Sequence, residues 1–172
     1  MLIIMVGCPK SGKSTFIDIV KNECDKLSKE MIIIRPSDWY PPDIDSMDPK
    51  DKTDYQLAAW ECALDKVSCV LAIGVGRLVV LDTCGATPGS LKTVMGVARL
   101  HHHTVTAMLI ATPRSVCESR IDPQIVNKYV DRVRDAAVEY NKTCDNLVIV
   151  KYEAMPDWGT RASEVAEQLC QM

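Results

Sequence analysis

Gly7-Cys8-Pro9-Lys10-Ser11-Gly12-Lys13-Ser14-Thr15 sets two glycines, a lysine and hydroxyls at the spacing G-x-x-x-x-G-K-S, directly after the apolar run Leu2-Ile3-Ile4-Met5-Val6. The chemistry available to these residue types at this spacing is phosphate binding. Gly7 and Gly12 permit backbone conformations that a Cβ forbids, so that successive N–H groups turn inward around an anion at the start of the next helix. Lys13 is spaced to reach the β- and γ-phosphates of a nucleotide, and the Ser14 hydroxyl to coordinate Mg²⁺. The stretch from Gly7 to Thr15 therefore predicts nucleoside triphosphate binding, with ATP and Mg²⁺ as cofactors.

A second acidic position fits the same chemistry. Leu78-Val79-Val80-Leu81 runs straight into Asp82-Thr83-Cys84-Gly85. A carboxylate at the carboxyl end of a short buried strand is placed to hold Mg²⁺ or its water together with the loop serine. Asp82 is thus the second candidate metal ligand beside Ser14. The run His101-His102-His103 does not read as a metal site, because adjacent residues do not converge on one ion; it is expected to be an exposed turn. Cys8, inside the phosphate loop, reads as a small residue filling a loop position.

Composition limits what such a site can serve. The 172 residues fit one domain spanning residues 1–172, large enough to bury its core without disulfides. The eight cysteines include no C-x-x-C pair, which leaves no sign of a zinc ribbon and points to reduced thiols and a cytoplasmic setting. No signal peptide and no run of about 20 apolar residues is present, so no membrane partner is expected. The net charge is -3 and the pI about 5.6, which argues against gripping a long stretch of duplex by its phosphates.

The elements that must position the site follow from periodicity. Phe16, Val20 and Leu27 keep helical spacing after the loop, and Met31-Ile32-Ile33-Ile34 predicts a second strand ended by Arg35-Pro36. A polar, proline-broken loop is expected from there to about Thr53. Leu57, Trp60, Leu64, Val67 and Leu71 then mark an amphipathic helix over about 54–73, ended by Gly74 and Gly76. A helix over about 88–100, a strand over 105–111, a short helix from Arg114 to near Arg120 and a longer one opened by Asp122-Pro123 come next. Leu147 to Val150 reads as a fifth strand and Thr160 to Leu169 as the closing helix. Strands alternating with helices in this way predict an α/β fold, a five-stranded parallel sheet with helices on both faces.

The phosphate loop, the Ser37-Asp38 pair past the second strand, Asp82-Thr83 after the third and an arginine-bearing segment after the fourth resemble, in this order, the P-loop kinase module of the bacteriophage polynucleotide kinase-like family. The resemblance covers most of the chain and implies phosphoryl transfer to a hydroxyl. It implies that Asp38 is the general base toward that hydroxyl and that Arg120 is the first lid arginine bracing the transferring phosphoryl. Here Arg120 is followed by Ile121-Asp122-Pro123, so a second lid arginine comes from Arg114, from Arg132 or Arg134, or from nowhere. The family's 5′-end kinases carry an arginine three residues beyond the base, whereas Asp38 is followed by Trp39-Tyr40-Pro41.

Relatives in the family include kinases of a hydroxymethylated uracil in DNA. Trp39 and Tyr40 beside the base fit stacking on a nucleobase, with Ser37 as a further substrate contact. The expected partner is accordingly DNA held over a small footprint, with Lys10, Lys128, Arg132 and Arg134 on one rim. The alternatives are a small-molecule or nucleoside acceptor and a non-enzymatic nucleotide switch.

Overall fold

The computed structural model describes residues 1–74, 76–84, 88–152 and 158–171, with the side chain of residue 88 set aside. Five strands, β1 (Leu2–Val6), β2 (Met31–Ile34), β3 (Leu78–Leu81), β4 (Val105–Ala111) and β5 (Asn146–Lys151), form one sheet in the order β2-β3-β1-β4-β5, and every pairing is parallel. β1 is buried along its whole length, as its unbroken apolar run requires of a central parallel strand. The expected α/β architecture is the one observed.

Alternation along the strands divides the core in two. Leu2, Ile4 and Val6 join Val79, Leu81, Val105 and Ala107 on the face covered by α2 (Pro49–Ile73), α3 (Pro88–Leu100) and α5 (Pro123–Thr143). Ile3 and Met5 join Val80, Met108 and Ile110 on the face covered by α1 (Lys13–Lys26) and α6 (Trp158–Gln171). The short α4 (Arg114–Glu118) lies between β4 and α5. All the strands run the same way, so their carboxyl ends, followed by Gly7, Arg35, Asp82 and Thr112, gather at one edge where ligands of such sheets sit.

Three expectations need correction. The loop after β2 is not structureless: Pro36–Trp39 and Ile44–Ser46 form 3₁₀ turns. α2 starts at Pro49, earlier than expected, because the Asp48 side chain accepts the Lys50 N–H at 2.9 Å and proline suits the first helical position. Its buried positions are Ala59, Ala63, Val67, Val70 and Leu71, while Leu57 is exposed, as is Leu27 at the end of α1. The hydrophobic stripe was therefore set a step off at its amino-terminal end.

The histidines are not a bare turn either. His103 Nε2–H donates to Leu71 O (3.1 Å) and its Nδ1 meets the Met1 amine (3.2 Å), and His101 Nε2 meets Ser68 Oγ at 2.9 Å. Only His102, with φ 57°, is exposed at the tip. The connection into β4 is thereby pinned to the end of α2. Among the described residues no helix is long and apolar enough to cross a membrane.

Candidate active site

The phosphate loop links β1 to α1, and its shape depends on two glycines. Gly7 has φ 156°, and a Cβ there would stand 3.0 Å from Ser11 Oγ and 3.1 Å from Ile110 O. Gly12 caps α1 with φ 94°, and a Cβ there would lie only 2.4 Å from Cη2 of Trp158. Backbone bonds tie the loop to its neighbours: Gly7 N–H donates to Cys84 O (3.2 Å), Ser11 N–H to Cys8 O (3.2 Å), and Thr112 Oγ1–H to Ser11 O (2.7 Å). Cys8 is buried, Pro9 half-buried, and Lys10, Ser14 and Thr15 are exposed.

Lys13 is buried, and its ammonium donates to Gly7 O at 3.0 Å and Cys8 O at 2.8 Å. The lysine head thus lies folded onto the loop's own carbonyls. Ser11 is also buried, and its Oγ has no hydrogen-bond partner among the described residues. A buried hydroxyl without a partner carries a desolvation cost that an incoming phosphate oxygen can relieve. The Cβ-free cradle, the buried ammonium and this hydroxyl fit a phosphate chain. Burial pushes the Cys8 thiol pKa up, with the neighbouring Cys117 thiol adding to it.

Asp82 follows β3 and is 8% exposed. Its Oδ2 accepts a hydrogen bond from Arg35 Nε at 3.0 Å, while Arg35 Nη2 donates to Asp18 Oδ1 on α1. Burial opposes the guanidinium charge, but the bonds to Asp18 and Asp82 outweigh it and leave Arg35 more basic than usual. Arg35 is a site residue that the sequence reading missed, seeing it only as the end of a strand. The signal lies in the register: Ile34 pairs with Leu81, so the residues that follow each are neighbours. Gly85, read with Asp82, Thr83 and Cys84, lies outside the described residues.

Asp38 sits on the 3₁₀ turn just past β2, its N–H donating to Arg35 O at 2.9 Å. Ser37, Asp38 and Trp39 are exposed, and Tyr40 is half-buried. Burial raises the Tyr40 hydroxyl pKa, and Cys84 and Tyr129 raise it further. The two aromatics are therefore differently placed, one at the surface and one half-buried.

Of the arginines considered for the lid, Arg120 meets the phosphate loop. Its Nη1 donates to Lys10 O and its Nη2 to Tyr152 Oη, both at 3.1 Å, and its guanidinium lies 5.6 Å from the Tyr152 ring centre. Arg114 is instead paired with Glu118 at 2.6 Å, on the rim of an apolar cavity of about 520 Å³ lined also by Cys8, Val130 and Val133. Arg134 pairs with Asp131 at 3.0 Å, and Arg132 lies over the Tyr129 ring at 5.9 Å. Trp158 was also missed: it meets Phe16 and Tyr152 edge to face, at 5.6 and 5.8 Å, and walls the loop at Gly12.

Chemically, this edge can hold a nucleotide phosphate chain beside one buried carboxylate and one exposed carboxylate. Among the described residues no group of three or more His, Cys, Asp or Glu could hold a metal ion.

Solved structures similar in fold share little sequence with this chain. One described as a putative kinase from Chloroflexus aurantiacus matches with 13% identity and TM-score 0.66, over 99% of this chain and 96% of that one. The APS kinase CysC of Mycobacterium tuberculosis, solved with AMPPNP and APS, matches with 16% identity and TM-score 0.61, over 98% and 96%. Kti12 of Chaetomium thermophilum, solved with ADP-AlF3, matches with 12% identity and TM-score 0.67, over 98% of each chain. Comparison with curated proteins returns no match. The family model AAA_33, described as an AAA domain, matches residues 2–143, so the chain belongs to that family.

Proposed function

We propose that this protein transfers the γ-phosphoryl group of ATP to an alcohol, and that the alcohol is carried on DNA, as a hydroxymethylated base or a 5′ end. In this reading Lys13 and the loop N–H groups hold the phosphates, and Ser14 and Asp82 would hold Mg²⁺, which would supply charge neutralisation at the phosphates. Asp38 takes the proton of the attacking hydroxyl, and Arg120 offsets charge developing on the phosphoryl oxygens. Catalysis of this kind is positioning and charge stabilisation without a covalent intermediate.

The observation that carries the reading is the position of Asp38: exposed, on a turn whose backbone bond to the Arg35 carbonyl sets it beside the residue whose guanidinium bonds Asp82. An alcohol acceptor needs such a base, whereas slow nucleotide hydrolysis does not. Trp39, 40% exposed beside it, favours a planar base as the group presented. A second reading, a small free alcohol, is favoured by the acidic stretch Asp43, Asp45, Asp48 and Asp51, which disfavours nearby DNA phosphates.

The test is incubation with γ-labelled ATP and Mg²⁺ against 5′-hydroxyl DNA and RNA, hydroxymethylated duplex with blocked ends, nucleosides and small alcohols. Label in end-blocked modified duplex selects the base hydroxyl, and label in 5′-hydroxyl DNA selects the chain end. Label confined to nucleosides or small alcohols selects the second reading. Release of phosphate with every acceptor unlabelled overturns the kinase reading in favour of a nucleotide switch.

A further inference from the structure

The fork of Arg35 joins three elements whose relative position a metal-nucleotide site needs fixed. Its Nε bonds Asp82 past β3, its Nη2 bonds Asp18 on α1, and its carbonyl accepts the Asp38 N–H. Asp18 lies four residues beyond Ser14 on α1, so the two project from the same helix face one turn apart. A single side chain thereby sets the helix that carries Ser14 against the strand end that carries Asp82. Asp82 is nearly buried, and a carboxylate so placed must have a partner that also fixes its rotamer.

We propose that Arg35 is a positioning residue of the metal site, fixing the Asp82 carboxylate and the Ser14 face of α1 so that Mg²⁺ can join the bound nucleotide. The inference rests on the reading of Ser14 and Asp82 as metal ligands. Lysine cannot replace the arginine in this role, because an ammonium is a compact point charge without two separated donor edges. The guanidinium charge itself works against a nearby cation, so the benefit comes from geometry. A purely structural arginine would lower the melting temperature and leave the metal dependence of nucleotide binding where it was.

Calorimetric titration of ATP into the full chain, in EDTA and across a series of Mg²⁺ concentrations, separates these outcomes without measuring turnover. Arg35→Gln should raise the Mg²⁺ half-saturation about tenfold, the scale at which outer-shell partners of metal ligands act. Its ATP affinity in EDTA should stay within about twofold of the parent, since the loop contacts are untouched. Arg35→Lys should fall short of full rescue, and Asp18→Asn should shift the half-saturation in the same direction by roughly threefold.

A folded Arg35→Gln variant with unchanged or tightened Mg²⁺ half-saturation overturns the proposal. If that variant does not fold, parental metal dependence in both Arg35→Lys and Asp18→Asn overturns it equally. A parent chain whose ATP binding ignores Mg²⁺ altogether defeats the assignment of Ser14 and Asp82, and the role of Arg35 with it.

Discussion

The two halves of the strand-end edge are built differently. On the nucleotide side, nine consecutive residues make the cradle, its Lys13 and Ser11 are buried, and hydrogen bonds to the Cys84 carbonyl and from the Thr112 hydroxyl tie it to the segments that follow β3 and β4. On the proposed acceptor side, Ser37, Asp38 and Trp39 stand exposed on a short 3₁₀ turn, and Tyr40 beside them is half-buried. The cradle on the nucleotide side is a local device carried by one motif. The proposed acceptor side is one short turn that stands exposed, in contrast to the buried loop.

If that division is sound, damage to the nucleotide side should affect every activity, and damage to the acceptor side should affect transfer alone. The largest effect is expected from Lys13→Ala, which removes the buried ammonium. Phosphoryl transfer should fall by about 10³-fold or more, with the melting temperature nearly unchanged. Undiminished transfer in a filter-binding or chromatographic assay would break the assignment of the loop.

Asp38→Asn comes next. Loss of the base should lower kcat about 10²- to 10⁴-fold while ATP affinity by calorimetry stays within about twofold. The opposite pattern, weaker ATP binding with kcat preserved, would move Asp38 to the nucleotide side and erase the division.

The smallest effect is expected from Gly12→Ala, which probes how firmly the cradle is walled. The added methyl meets the Trp158 ring at 2.4 Å and sits at φ 94°, so stability should fall by about 1–3 kcal/mol through overpacking and strain. ATP affinity should fall with it, and relief by Trp158→Leu in the same chain would sharpen the point by identifying the indole as the wall. A variant as stable as the parent would show that the loop can move away from α6.

These differences also explain what was legible in the sequence. The loop could be read outright because its residues are contiguous and each needs a particular backbone conformation. The five strands could be read because buried parallel strands are unbroken apolar runs. Asp82 was legible because the residue after such a run lies at the ligand edge. Arg35 was not, since its two partners are 17 and 47 residues away and only the β2–β3 register brings them together. Leu57 misled because an apolar residue in phase with a helix can still face solvent, as it does here near the start of α2. The resemblance makes Arg120 the first lid arginine and Arg114 one candidate for the second, and what separates them in the fold is that Glu118 occupies Arg114 while the Lys10 carbonyl and Tyr152 hold Arg120 at the loop.

The indole of Trp158 gives the protein a built-in optical probe. Its ring edge abuts Gly12, it is 7% exposed, and its Nε1–H is without a hydrogen-bond partner among the described residues. Indole emission shifts with the polarity and charge around the ring, so phosphate entering the loop should register in Trp158 fluorescence. Trp39, at the surface beside Asp38, is placed to register the acceptor instead. With Trp60 and one of these two replaced by phenylalanine, the remaining signal reports occupancy of one half of the edge, and the order in which nucleotide and acceptor arrive becomes directly observable in stopped flow.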